Sequence, residues 1–281
     1  MPRSQQEVAT LETNRWLLPD ILWEEIEPLL PPLPAPKSTG GRPFIAHRKA
    51  MNGIFFVMRT GCQWNALNVT GICSSSTAHR RFQEWTKLGV FQKLWAEGLT
   101  EYDALKGIQW RWQSMDGAMT KAPLGGEKKI GPNPTDRAKL GVKRSLLCEG
   151  RGVVIGLAVD GANRHDMKLV EATLESIPVE RPDIRAYWRQ NLCLDKGYDF
   201  DAVRNLVAEF EYTAHIRARG EEARAIKDRP GFKARRWVVE RTHSWMNRFR
   251  RVLIRWEKKL CNYMAILHIV CAIIAFRAAW L

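Results

Sequence analysis

No two cysteines in this sequence stand at the spacing of a zinc-binding or redox motif. The six, at 62, 73, 148, 193, 261 and 271, are scattered, and several sit in apolar runs such as NLCLD and HIVCAII. That excludes a cysteine-built metal module and a disulfide framework, and predicts buried thiols of a reducing compartment. The opening residues, MPRSQQEVATLETN, lack the apolar core of a signal peptide. No unbroken apolar run is expected to cross a bilayer. The longest, Met264 to Phe276, has about 13 residues and is broken by His268, against the roughly 20 that a span needs. A buried core helix is expected there, and no membrane partner. Internal repeats are absent as well.

Acid is scarce where base is dense. Between Pro230 and Trp256 the only carboxylate is Glu240, within RRWVVERTHSWMNRFRR (235–251). The whole chain of 281 residues has 44 Lys and Arg against 30 Asp and Glu, a net charge of +14. Residues 221–281 hold 14 bases and 5 acids, so +9 of that +14 lies in the last fifth of the chain. Such an excess points to an anionic partner, nucleic acid first. A hydrophobic content of 45% excludes wholesale disorder, and the length suits two domains.

Four segments are predicted: an N-terminal helical segment (1–30), a Pro-rich linker (31–43, PPLPAPKSTGGRP), an all-helical unit (44–104) and an α/β unit (105–281). FIAHRKAMNGIFFVMRTG spaces Ala50, Ile54, Val57 and Met58 as a helix and stops at Gly61. SSSTAHRRFQEWTKLG begins with capping serines and buries Ala78, Phe82 and Trp85, leaving Ser76, Arg80, Gln83 and Lys87 on the opposite face. Helix, turn and a second helix bearing Arg and Gln outward is the helix-turn-helix pattern, with those four residues as candidate DNA contacts. An ordinary solvated helix face gives the same pattern.

From about residue 108 strands take over: IQWRWQSMD, KRSLLCEG, GVVIGLAVDG, NLCLD and YTAHIRA, with a turn at EGRG. HDMKLVEATLESI and DFDAVRNLVAEF are predicted helices, the first with Asp166 as its cap, a ligand role being the alternative for that residue. The order, three strands and then alternating helices and strands, predicts a layered α/β domain. GGEKKIGPNPTDRAKLGVKR (125–144) reads as a long basic loop, with Lys128, Lys129, Arg137, Lys139, Lys143 and Arg144 as candidate DNA contacts.

Two aspartates are expected at strand ends, Asp116 in QSMDGAM and Asp195 in LCLDKGYD. Carboxyl ends of strands are where open α/β sheets bind ligands, though a strand-end Asp also serves as a turn former. With Glu240 they make three carboxylates in basic surroundings, suited to two divalent ions doing phosphodiester chemistry. On a helix, Arg236, Glu240, His243 and Asn247 share one face, while Val238, Trp245, Phe249 and Val252 form an apolar one.

SMDGAM, DGANRHD, LDKGYD and RRWVVERTHSWMNRFRR together resemble the DDE transposases of bacterial insertion sequences, in particular the insertion-sequence-five family. GGEKKIGPNPTDRAKLGVKRSLLCEGRG is similar to one branch of it, and residues 15–100 resemble its N-terminal helical domain. The resemblance implies an RNase H-like catalytic domain preceded by a helix-turn-helix domain. It implies Asp116, Asp195 and Glu240 as catalytic metal ligands, Mg²⁺ with Mn²⁺ as substitute, and arginines Arg236, Arg241 and Arg248 on DNA. It further implies transposon-end and target DNA as partners, a homodimer on DNA and a cytoplasmic, nucleoid-associated protein. Around the glutamate the family carries Tyr, two residues, Arg, three residues, Glu, six residues, Lys. Here Arg236 and Glu240 fit, Lys233 replaces the Tyr and Asn247 the Lys, with Arg248 adjacent. The expected activity is cleavage at the terminal inverted repeats and joining of the 3′-OH to target DNA. A non-catalytic repressor and a plain metal nuclease are the alternatives.

Overall fold

Glycines and serines end and start the N-terminal helices where the pattern puts them. The computed structural model describes residues 16–33, 44–182, 189–216, 228 and 235–280. Residues 1–15, most of the Pro-rich linker and Lys233 lie outside the described residues. Helix α1 is Asp20–Ile26, α2 His47–Thr60, α3 Ser75–Lys87 and α4 Val90–Lys106. Gly61 closes α2 in the left-handed region at φ 71°, as C-cap glycines do. Ser74 caps α3 by accepting the Thr77 N–H, and Ala78, Phe82 and Trp85 are buried. Between α2 and α3 runs a 3-10 helix, Trp64–Val69, so the connection is longer than a tight turn.

The sheet comprises β1 (Trp112–Lys121), β2 (Gly131–Pro132), β3 (Leu140–Glu149), β4 (Val154–Gly161), β5 (Gln190–Leu194) and β6 (Tyr212–Ile216). β3 pairs antiparallel with both β1 and β4. β1 then pairs parallel with β5, and β5 with β6. The spatial order β4-β3-β1-β5-β6, three antiparallel strands extended by two parallel ones, is the RNase H-like arrangement. The two-residue β2 prolongs the edge at the start of β3, pairing Gly131 with Gly141.

Helix α5 (Val170–Glu175) covers β3 and β4, α6 (Asp201–Glu209) joins β5 to β6, and α7 (Trp237–Asn247) lies on β1 and β3. The last helix, α8 (Leu260–Trp280), is long and apolar enough to cross a membrane by length and composition. Here it is a core helix: Ile266, Leu267, Val270 and Phe276 are fully buried. It packs along α4, where Gly98 lets the Phe276 ring come within 3.1 Å of the place a Cβ would occupy. Trp95 on α4 also donates to the Val154 carbonyl at 3.1 Å. One apolar core therefore runs from Leu18 through the sheet to Ala279 without a break at residue 104.

Candidate catalytic centre

β1 outruns its parallel neighbour, and that mismatch builds the site. The parallel pairing of β1 and β5 ends at Ser114 opposite Cys193, while β3 follows β1 to Lys121. Asp116 is therefore in mid-strand, not at a strand end as expected; it sits where β5 stops and one side of β1 opens. Asp195 does follow its strand directly, at the end of β5. Each carboxylate accepts one backbone N–H just downstream, Asp116 Oδ1 from Gly117 at 2.9 Å and Asp195 Oδ1 from Gly197 at 2.8 Å. The Asp195 contact is an Asx-type turn, whereas Asp116 bonds the next N–H along its own strand.

Glu240 comes from α7, and several bonds set its position. Ser114 on β1 donates to the Arg235 carbonyl at 2.9 Å just ahead of the helix. Thr242 donates to the Gly152 carbonyl at 2.7 Å in the β3–β4 turn. Gly152, at φ 96°, leaves no room for a Cβ between Arg241 and Thr242. The buried side is Val238, Val239, Thr242, His243 and Met246. The helix ends at Asn247, so Phe249 and Val252 are buried beyond it rather than on its apolar face. His243 is buried against β1, and burial with the Arg144 charge drives it down to about 3, so it stays neutral. Glu240 remains half exposed, its side chain 53% accessible. Arg236 Nη2 is 3.6 Å from Glu240 Oε1, a contact of the exposed type that contributes little.

The carboxylates feel one another. Burial pushes Asp116 up to about 6, opposed by its Gly117 hydrogen bond and reinforced by the charges of Asp195, Asp166 and Glu240. Asp166 is a further acid near Asp116, one that the sequence favours as a helix cap over a ligand. It was expected to cap a helix, but His165 caps that turn by accepting the Met167 N–H. Asp166 instead accepts Lys143 Nζ at 2.9 Å and lies against Gly117. A glycine directly after a candidate catalytic aspartate was the available signal.

Among the described residues, no three His, Cys, Asp or Glu side chains are drawn together tightly enough to enclose an ion. Asp195, Asp166 and Glu240 lie within electrostatic range of Asp116.

The candidate DNA contacts divide. Ser76, Arg80 and Lys87 are exposed on α3, and Gln83 is half buried beside His79 at 3.3 Å. Lys128, Lys129, Arg137 and Lys139 are exposed, with Lys129 donating to Asp160 at 2.9 Å. Lys143 and Arg144 are not loop residues. They lie on β3, 6% and 2% exposed. Lys143 is held by Asp166 and the Arg164 carbonyl, and Arg144 by Asn247 Oδ1 at 3.2 Å and the Val252 carbonyl. Neither is available to DNA. Asn247, at the family's Lys position, serves to anchor β3 to α7. Arg241 is stacked between Trp237 and Trp245, 4.5 and 4.4 Å from the ring centroids, and donates to the Arg151 carbonyl. Arg248 is exposed and Arg236 half buried.

Comparison with known proteins matches these regions to transposases. The family model described as "Transposase DDE domain" matches residues 113–275, and that described as "Putative transposase of IS4/5 family" matches residues 18–95. The "Putative transposase for insertion sequence element IS402" of Burkholderia cepacia is 34% identical over 158 residues, 54% of this chain and 70% of its own. The insertion element IS402 uncharacterized 16.2 kDa protein of the same organism is 34% identical over 120 residues, 42% of this chain and 81% of its own. The catalytic domain of Mos1 mariner transposase aligns over 68% of this chain and 92% of its own, at 11% identity and a TM-score of 0.29, too low for residue correspondence. With more than half of its length matched by the DDE-domain model, the chain belongs to the DDE transposases, within the IS4/5 family.

Proposed function

We propose that this DNA transposase, an enzyme dependent on divalent metal, acts through Asp116, Asp195 and Glu240 as ligands of Mg²⁺, with Mn²⁺ able to substitute. The observation that supports this reading is geometric: Asp116 sits where β5 stops pairing with β1, Asp195 follows the end of β5, and both lie within electrostatic range of one another, with Glu240 and Asp166 also in range of Asp116. The bound ions supply charge neutralisation and an activated oxygen at the scissile phosphodiester. Asp116 and Asp195 hold their carboxylates still through the Gly117 and Gly197 N–H groups, and Glu240 comes from α7, within electrostatic range of Asp116.

The remaining division of labour follows from charge and exposure. Residues 44–104 recognise the terminal inverted repeats, with Ser76, Arg80 and Lys87 exposed on α3 and Gln83 beside them. Residues 105–281 cut the element ends and join the 3′-OH to target DNA. Lys128, Arg137, Lys139 and Arg248 are placed on the exposed surface to meet phosphates. Two ends must be handled together, which favours a homodimer assembled on DNA. A DNA-bound protein of this kind is nucleoid-associated. The test is incubation with the DNA flanking the gene, in Mg²⁺, with cuts and joins mapped. Cleavage at the element ends followed by strand joining is expected. Cleavage without joining would leave a plain nuclease.

A further inference from the structure

Asp166 has a use beyond its ion pair. It opens a 3-10 turn after β4, and Lys143 grips only one of its oxygens, Oδ2 at 2.9 Å. Lys143 also donates to the Arg164 carbonyl at 2.7 Å, so the ammonium is held twice and the tether is short. The other oxygen, Oδ1, is buried and has no hydrogen-bond partner. It lies 2.1 Å from the place a Cβ on Gly117 would occupy. Any other residue after Asp116 would therefore expel it. A second unpartnered group faces the same acids. Tyr198, in the turn directly after Asp195, is 1% exposed and its hydroxyl has no partner. Burial first, then the charges of Asp166, Asp116 and Asp195, keep that phenol protonated. A buried acceptor and a buried donor left unpaired are each costly, and buried polar atoms without partners call for a specific explanation.

We propose that Asp166 is a positioning residue of the catalytic centre: tethered by Lys143 and admitted by Gly117, it sets Oδ1 to accept hydrogen bonds from water bound to a divalent ion at Asp116, while the Tyr198 hydroxyl donates within the same shell. The inference rests on the reading of Asp116 as a metal ligand. Groups one step beyond a metal's ligands orient them, and losing one weakens metal binding by roughly 10- to 100-fold. Pairing with Lys143 makes Asp166 an oriented acceptor.

The measurement is Mn²⁺ affinity of the full chain without DNA, from the electron paramagnetic resonance signal of free Mn²⁺, alongside thermal melting of the metal-free protein. Asp166→Asn should weaken Mn²⁺ binding by about 10- to 100-fold with the melting curve little changed. Gly117→Ala should do the same with no change of charge, because its methyl displaces the Asp166 oxygen. Tyr198→Phe should weaken binding by a smaller factor. Asp116→Asn should abolish it. Loss in Asp116→Asn with wild-type Mn²⁺ affinity in both Asp166→Asn and Gly117→Ala overturns this inference alone. Wild-type affinity in Asp116→Asn overturns the metal-ligand reading and the inference with it.

Discussion

At the scale of single residues, Asp116 gives the sharpest expectation. Its carboxyl is pushed up to about 6 from an ordinary 3.8 by burial and by Asp195, Asp166 and Glu240. Between about pH 4 and pH 6 the native state thus holds a proton that the unfolded state has released, so stability falls as pH rises through that window and then levels off. The ionised form costs on the order of 3 kcal/mol. A divalent cation at Asp116 removes that cost, but only where the group is ionised. Addition of Mg²⁺ should raise the melting temperature clearly at pH 7.5 and scarcely at pH 5. An equal rise at both values would mean that the ion binds elsewhere. Asp195 was readable from sequence because a short apolar run ended directly before it. Asp116 was readable as a candidate but not in its place, since the strand continues five residues past it on pairing with β3. The partnership of Asp166 with Lys143 was not legible: it joins residues 23 positions apart through a packing contact, and its local sequence reads equally well as a cap.

Elements carry a second set of expectations. α3 was legible because its serine cap and its Ala78, Phe82 and Trp85 stripe are local signals. α8 was legible because a 21-residue helix with Ile, Leu, Val and Phe on every side has to be covered. The basic segment 125–144 was only half legible. A run of Lys and Arg predicts solvent, yet β3 is a central strand, and its Lys143 and Arg144 are buried because Asp166, Asn247 and two carbonyls receive their donors. Arg144→Ala should accordingly destabilise the fold by about 1–3 kcal/mol, since it strands the Asn247 acceptor, and melting in denaturant should register this. Arg137→Ala or Lys139→Ala, on the exposed part of the same segment, should leave melting unchanged. Each should lower the slope of log affinity for DNA against log salt by about 1. The reverse assignment of effects would place the DNA-facing surface elsewhere. The interface of α4 and α8 is tighter than its apolar pattern implied, because Gly98 takes the Phe276 ring at contact distance. Gly98→Val should overpack it and lower stability by about 1–3 kcal/mol, read by the same denaturant titration.

The whole molecule carries an excess of base, 44 Lys and Arg against 30 Asp and Glu. The net charge of +14 draws DNA in without regard to sequence, and Glu240 is the single acid in the most basic part of the chain. A charge-balancing role and a metal-ligand role for Glu240 make opposite demands. Glu240→Gln keeps shape and helix propensity while removing one negative charge beside a polyanion, so binding of end DNA should be unchanged or slightly tighter. As an ion-pair partner of Arg236 at 3.6 Å, its loss would cost at most about 1 kcal/mol of stability and leave the enzyme active. Held against Asp116 and Asp195 around divalent metal, its loss removes a charged ligand and stops cutting. The decisive measurement is a gel shift and a Mg²⁺ cleavage assay on element-end DNA with one preparation of Glu240→Gln beside the unaltered protein. Retained binding with cleavage slowed by about two orders of magnitude or more is the predicted result; cleavage at the unaltered rate would contradict the assignment of the catalytic centre.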